Sequence, residues 1–193
     1  MPLEFDQPTH VYRLDGRVVP SVTQVLDPLL ELDGIPRAVL EAARIFGTHV
    51  HEACHLMVRG ELDWARLDPE LVPYVEGACK FLKDSGFTVI ASELRVASAK
   101  LGCAGTLDLA GVLHRSECIC DWKSTAVMPP TVGPQTAAYE EFYRAERGGR
   151  PRKRFCVQLK PNDYRIYPLT DSSDYSIFLS ALNLYHWRRK RAA

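Results

Sequence analysis

Apolar residues recur at helical spacing through much of the first 86 residues and alternate with polar ones over much of the remaining chain. Residues 10–14 and 17–19 flank Asp15-Gly16, a hairpin signal because glycine tolerates the positive φ that a tight turn needs. Ser21, in Pro20-Ser-Val-Thr, suits the N-cap of a helix opening there. Further helices are predicted over 35–43, from 47 or 48 to 60, and over 69–85, the last stopped by Gly86. The period then changes. Segments 88–96, 105–113 and 118–123 are short and carry turn chemistry between them, as strands do. A helix over 134–147 comes next. Strands over 154–160 and 164–169 then flank Pro161-Asn162-Asp163, and a helix over 172–189 ends the pattern.

The order predicts one domain over 1–193 of the α/β (α+β) class. It has a helical N-terminal third and a five-stranded mixed sheet flanked by helices. Composition agrees: 193 residues, 46% hydrophobic and 25% charged, can bury a core and are unlike a disordered chain. No apolar run approaches the ~20 residues that span a bilayer. The first residues, Met1-Pro-Leu-Glu-Phe-Asp6, carry acids where a secretory signal needs a basic and then an apolar region. The expectation is a cytoplasmic protein with no membrane partner.

The formal net charge of zero hides an asymmetry. Residues 1–86 hold 8 Lys/Arg against 14 Asp/Glu, and residues 87–193 hold 16 against 10. Arg144, Arg147, Arg150, Arg152, Lys153 and Arg154 form one basic stretch, and Arg188-Arg-Lys-Arg191 another. Such clusters suit a polyanion such as DNA, or simply a solvated face. The six cysteines make neither a CxxC pair nor zinc-finger spacing, which leaves them as small buried residues.

The candidate chemistry lies in 105–123. Strand alternation puts Asp121 and Lys123 on one face and Cys118, Cys120 and Trp122 on the other, the core side. A turn at His114-Arg115 sets Asp108 directly across from Asp121, with Cβ atoms about 5 Å apart; a longer loop shifts that register. Two carboxylates this close repel each other, and a divalent cation resolves the conflict. A neighbouring lysine then orients water and offsets charge on a phosphate. Alone, Asp-x-Lys is equally the pattern of an exposed ion pair at a strand end.

The ordered set Gly47-Thr-His-Val-His51, Glu93, Gly105-Thr-Leu-Asp108, Asp121-Trp-Lys123 and Gln135-Thr-Ala-Ala-Tyr139 resembles the RecB-like branch of the PD-(D/E)XK nuclease superfamily, over about residues 20–187. That resemblance implies a restriction-endonuclease-like core and Mg²⁺- or Mn²⁺-dependent hydrolysis of DNA, with one or two ions. The implied reaction is an exonuclease's, on single strands or ends, in replication, recombination or repair, as in compact phage enzymes. Replication or recombination proteins are the implied partners. Asp108, Asp121 and His51 become metal ligands, with the Trp122 carbonyl as another, and Lys123 the catalytic lysine. Gln135 and Tyr139 contact substrate or support the site, and Glu93 fills an acidic position before it. The motif's proline is absent, Leu107 standing before Asp108. Without a trio of C-terminal cysteines, no iron–sulfur cluster is expected. On this reading Arg144, Arg147, Arg150, Arg152, Lys153, Arg154 and Lys160 track the DNA backbone. Tyr74 or Phe46 stack bases if they line the cleft and pack in the core if they do not. The Met128-Pro-Pro130 loop forms a flexible rim.

Two other readings remain. A non-catalytic DNA-binding or recombination module keeps such a fold. His51-Glu52-Ala53-Cys54-His55 also matches H-E-x-x-H, the helix of zinc proteases, with Glu76 as a conceivable third ligand; the extended third-ligand pattern is missing.

Overall fold

The computed structural model describes residues 2–7, 9–30 and 34–192. It opens with a small antiparallel sheet of β1 (Leu3–Asp6), β2 (Val11–Leu14) and β3 (Arg17–Val19), in the order β1-β2-β3. Asp15 and Gly16 take φ of 49° and 74°, so the hairpin forms where predicted. β1 carries no comparable signal, since four residues hold too little alternation; it forms because β2 offers an edge, with Phe5 opposite Tyr12.

Ser21 caps α1 (Val22–Leu26) through a capping box with Gln24. The two helices predicted over 35–60 are one, α2 (Arg37–Arg59). Thr48 does not cap a new helix: its hydroxyl donates back to the Arg44 carbonyl at 3.0 Å, and Gly47 is carried inside the helix. α3 (Val72–Ser85) starts later than predicted because Asp68 first forms a turn, its carboxylate accepting from the Glu70 N–H and its carbonyl from the Leu71 N–H.

The second sheet contains β4 (Thr88–Ser98), β5 (Cys103–Leu113), β6 (Ser116–Lys123), β7 (Lys153–Lys160) and β8 (Asp163–Pro168), in that order. Only β6 and β7 run parallel, as the intervening α4 (Val132–Arg147) requires. α5 (Asp174–Ala192) closes the fold. The expected α+β architecture with a five-stranded mixed sheet is therefore present.

Helices cover both faces of this sheet. On one, α2 and α3 pack Val50, Cys54, Val75 and Phe81 against Leu109, Cys120, Trp122 and Val157. On the other, α1, α4 and α5 pack Val25, Ala138, Phe142 and Phe178 against Val96, Leu107 and Ile119. Cys118, Cys120 and Trp122 face the first cluster, as alternation predicts. No described helix is long and apolar enough to cross a membrane.

Candidate metal centre

The β5–β6 hairpin turns on His114 and Arg115, with φ of 48° and 63°. Both central residues are left-handed, the geometry of a two-residue type I′ turn that Asn-Gly usually serves. Pairing runs from Leu113↔Ser116 to Leu109↔Cys120, the expected register, and the next step of the same count sets Asp108 against Asp121. On the other side, Ser92↔Leu109 and Leu94↔Leu107 bracket Glu93 opposite Asp108. Three carboxyl groups thus form one row across β4, β5 and β6.

Regular alternation breaks at this row. Leu107 packs with the α4 and α5 cluster, yet Leu109, two residues on, packs with the α2 and α3 cluster. Glu93, in the middle of a strand, has φ of 50°, a backbone state that disfavours side chains and that strained sites tend to retain. Groups from helices on both faces consequently reach the row.

From α2, the buried Val50, Ala53 and Cys54 fix the helix on the core and aim His51 inward. Its Nδ1 lies 3.2 Å from Asp108 Oδ1. Ligand atoms of His51, Glu93 and Asp108 all lie within 4.8 Å of one another. The other Asp108 oxygen accepts from the Trp122 backbone N–H at 2.7 Å.

Asp121 is used differently from expectation. Lys123 Nζ lies 2.5 Å from its Oδ2, and Gln135 Nε2 donates to its Oδ1 at 3.0 Å. Both oxygens are committed, so the grouped trio contains Glu93 where the sequence reading had Asp121. Gln135 also reaches the Tyr139 hydroxyl at 3.4 Å. Tyr139 lies so close to β5 that a Cβ on Gly105 would come within 2.5 Å of its ring, which explains the glycine three residues before Asp108. Gln135 and Tyr139 therefore brace Asp121, and Asp121 holds Lys123. The contact found for the Trp122 backbone is its N–H; its carbonyl as a ligand remains an expectation.

Electrostatics here reflect three acids sharing one lysine and one histidine. Burial, then the neighbouring Asp108, push the Glu93 carboxyl up to about 8. Burial also raises Asp121, against the pull of Lys123. Burial would raise Asp108 too, but His51, Lys123 and the Trp122 N–H outweigh it and hold that carboxyl below its ordinary value. Burial opposes charge on Lys123 and His51; for each the adjacent aspartates win and the pKa is raised. Two carboxylates and an imidazole suit a divalent cation such as Mn²⁺ or Mg²⁺, which would take the place of the proton that Glu93 otherwise keeps.

The remaining candidate residues take places outside the trio. His55 Nδ1 bonds Ser92 Oγ at 2.8 Å and lies outside the trio, while Glu52 and Glu76 are exposed. The H-E-x-x-H histidines thus serve different neighbours. Phe46 and Tyr74 pack edge-to-face at 5.1 Å on the α2–α3 core. The loop around Met128 is tied down at its base, because Gln158 Nε2 donates to the Thr125 and Ala126 carbonyls at 2.7 and 2.9 Å.

The basic stretch is not at the site. Lys153 pairs with Cys118, at the opposite end of β6 from Lys123. Arg152 pairs with Glu117 at 2.7 Å and lies over the Tyr143 ring, its side chain only 7% exposed. Arg154 pairs with Asp174 at 2.9 Å and donates to the Gly133 carbonyl. Arg144 pairs with Glu140 and Glu141. Arg147 lies beside the Tyr143 ring, and Arg150, Lys153 and Lys160 are exposed. None of the seven lines the cleft that holds the carboxylate row. Much of this cluster is structural because α4 and β6 carry the matching acids.

That cleft has a volume of about 730 Å³ and is lined by His51, Glu93, Asp108 and Lys123 together with residues the sequence did not single out, among them Phe5, His10, Arg44 and Arg95. These lie on β1, the turn before β2, α2 and β4, so no spacing announces them. No protein-family model matches the chain, and no curated protein matches it.

Proposed function

We propose that the protein is a divalent-metal-dependent deoxyribonuclease with a PD-(D/E)XK-type site, working from single strands or ends in replication, recombination or repair. One observation carries the reading: His51, Glu93 and Asp108 converge within 4.8 Å in a cleft where Asp121 holds Lys123 beside them. An exposed Asp-x-Lys pair has neither a third carboxylate nor an inward-facing imidazole.

His51, Glu93 and Asp108 would hold Mg²⁺ or Mn²⁺, the Trp122 carbonyl would be a further ligand, and Asp121 would join them only by giving up part of its hold on Lys123 or Gln135. The bound ion supplies a Lewis acid for the phosphate and lowers the pKa of a coordinated water. Lys123 works as a cation: its raised pKa keeps Nζ protonated, suited to orienting water and countering charge on a phosphate oxygen. Asp121 fixes Nζ, Gln135 fixes Asp121, and Tyr139 backs Gln135. A buried network of this kind keeps the lysine where the reaction needs it.

The test is incubation of end-labelled single- and double-stranded DNA with Mn²⁺ or Mg²⁺, beside Lys123→Ala. Metal-dependent release of mononucleotides is expected, slowed at least about 100-fold in the variant. Mid-length products would replace the exonuclease with an endonuclease. Retained DNA binding with no cleavage of either substrate would instead make the protein a binding module.

A further inference from the structure

The N-terminal sheet lies outside the part of the chain that carries the nuclease resemblance, and the metal site does not use it. It is nevertheless fastened beside that site. The buried Tyr12 hydroxyl shares a 2.7 Å hydrogen bond with Thr106 Oγ1, two residues before Asp108. The Pro20 carbonyl accepts from the Ala104 N–H at the start of β5.

So anchored, the sheet brings aromatic rings to the cleft. Phe5 stacks on Tyr12 with ring centres 4.5 Å apart, and His10 meets Phe5 edge-on at 5.2 Å. Phe5 is half-buried and His10 exposed, and all three rings line the cleft. Arg95, from β4, holds its guanidinium 5.4 Å from the Phe5 ring centre. Arg95 is exposed and, among the described residues, makes no ion pair. Arg44, from α2, pairs among the described residues with Glu41 alone, in an exposed pair of the weakly stabilising kind. Partial desolvation of the ring against its neighbours, and then the charge of Arg44, hold His10 below its ordinary pKa, so at neutral pH it presents an uncharged ring.

Rings that stack bases, alternating with cations that take phosphates, are the chemistry by which proteins bind unpaired nucleic acid. Inside a duplex both faces of a base are stacked on its neighbours and are not free for such rings. A cleft of about 730 Å³ is in the size range of small-ligand pockets.

We propose that Phe5 and His10, with Arg95 and Arg44, form the binding wall for a single DNA strand entering the cleft. The exposed His10 ring stacks a base next to the phosphate held at the carboxylate row, Phe5, covered by Tyr12 and Arg95, holds His10 and Arg95 in place, and the guanidiniums take neighbouring phosphates. The proposal rests on the nuclease reading for the identity of the polymer, and it moves DNA contact from the basic stretch at 144–154 to the N-terminal sheet.

Binding of fluorescein-labelled oligothymidylate, followed by anisotropy in EDTA, tests it. A blunt hairpin duplex is the comparison, and thermal melting confirms that each variant is folded. Phe5→Leu keeps an apolar filler without a ring, and His10→Asn suits the left-handed backbone at φ 52°. Each is expected to weaken single-strand binding about tenfold and duplex binding little. Arg95→Gln should lower the slope of log affinity against log salt by about 0.7. Unchanged single-strand affinity in His10→Asn and Arg95→Gln overturns the proposal. So does a Lys153→Gln loss as large as that of Arg95→Gln, which would return the strand to the basic stretch. Wild-type hydrolysis of bis(p-nitrophenyl) phosphate with Mn²⁺ judges the nuclease reading separately: its absence sinks that reading and leaves the binding result to stand or fall by itself.

Discussion

Replacing Glu93 by glutamine should make the metal-free protein more stable while removing its response to metal. In the native state the carboxyl is held at about 8, against an ordinary value of 4.5. The native protein therefore keeps a proton that the unfolded chain has released. Because the native value is the higher one, Glu93's contribution to stability is complete below pH 4.5. It is lost as pH rises towards 8 and is constant beyond. At pH 7 the linked loss is about 3 kcal/mol. Glutamine is a neutral near-isostere of the protonated acid and does not suffer it. For a chain of this size, Glu93→Gln should melt roughly 6–12 °C above wild type at pH 7 in EDTA. The gap should shrink below pH 5. Adding Mn²⁺ should raise the wild-type melting temperature, because a ligand that binds only the native state stabilises it, and should move the variant far less. Calorimetric titration in buffers of different ionisation enthalpy should show proton release by the wild type near pH 7, since Glu93 and His51 must both be deprotonated to act as ligands. A variant less stable than wild type at pH 7 in EDTA, or one with an unchanged Mn²⁺ shift, would refute the assignment of Glu93 as an uncompensated ligand.

Two further substitutions probe the supports. Gly105→Ala should push Tyr139 off β5, because the added Cβ has 2.5 Å of room, and so loosen Gln135 and Asp121. A cost of about 1–3 kcal/mol by denaturant unfolding is expected, with a fall in cleavage rate beyond that of a neutral surface variant; unchanged stability and rate would dissociate Tyr139 from the site. Arg152→Ala should destabilise by about 1–2 kcal/mol, since it removes the partner of Glu117, leaves Glu140 to Arg144 and a backbone N–H, and uncovers the Tyr143 ring. Its affinity for oligothymidylate should remain that of wild type, and a large drop would restore Arg152 as a DNA contact.

The strands of the large sheet and most of the helices were legible in the sequence because their signals are local. Alternation marks a strand, a Ser21 cap starts a helix, and Gly86 ends one. The Asp108–Asp121 juxtaposition was legible too, since a hairpin of fixed turn length fixes its register. What failed was local evidence that tertiary contacts outweigh. Thr48 looked like a cap and turned out to be an interior residue of a longer helix, because α2 gains more from packing Val50 and Cys54 on the core than a break at Gly47 would. β1 needed β2 in order to exist.

The sequence by itself determined that acids and a lysine would meet on adjoining strands. Only the tertiary structure decided which groups each of them faces. Glu93 joins Asp108 and His51 because the sheet's alternation breaks at their row, whereas Asp121 turns to Lys123 and Gln135. The Arg144–Arg154 charges looked available for a polyanion until folding gave several of them acids of their own. Arg95, Phe5 and His10 gathered beside the cleft with no motif to announce them. Periodicity along a chain encodes which face a residue presents to its own neighbours; what lies opposite that face depends on elements tens of residues away.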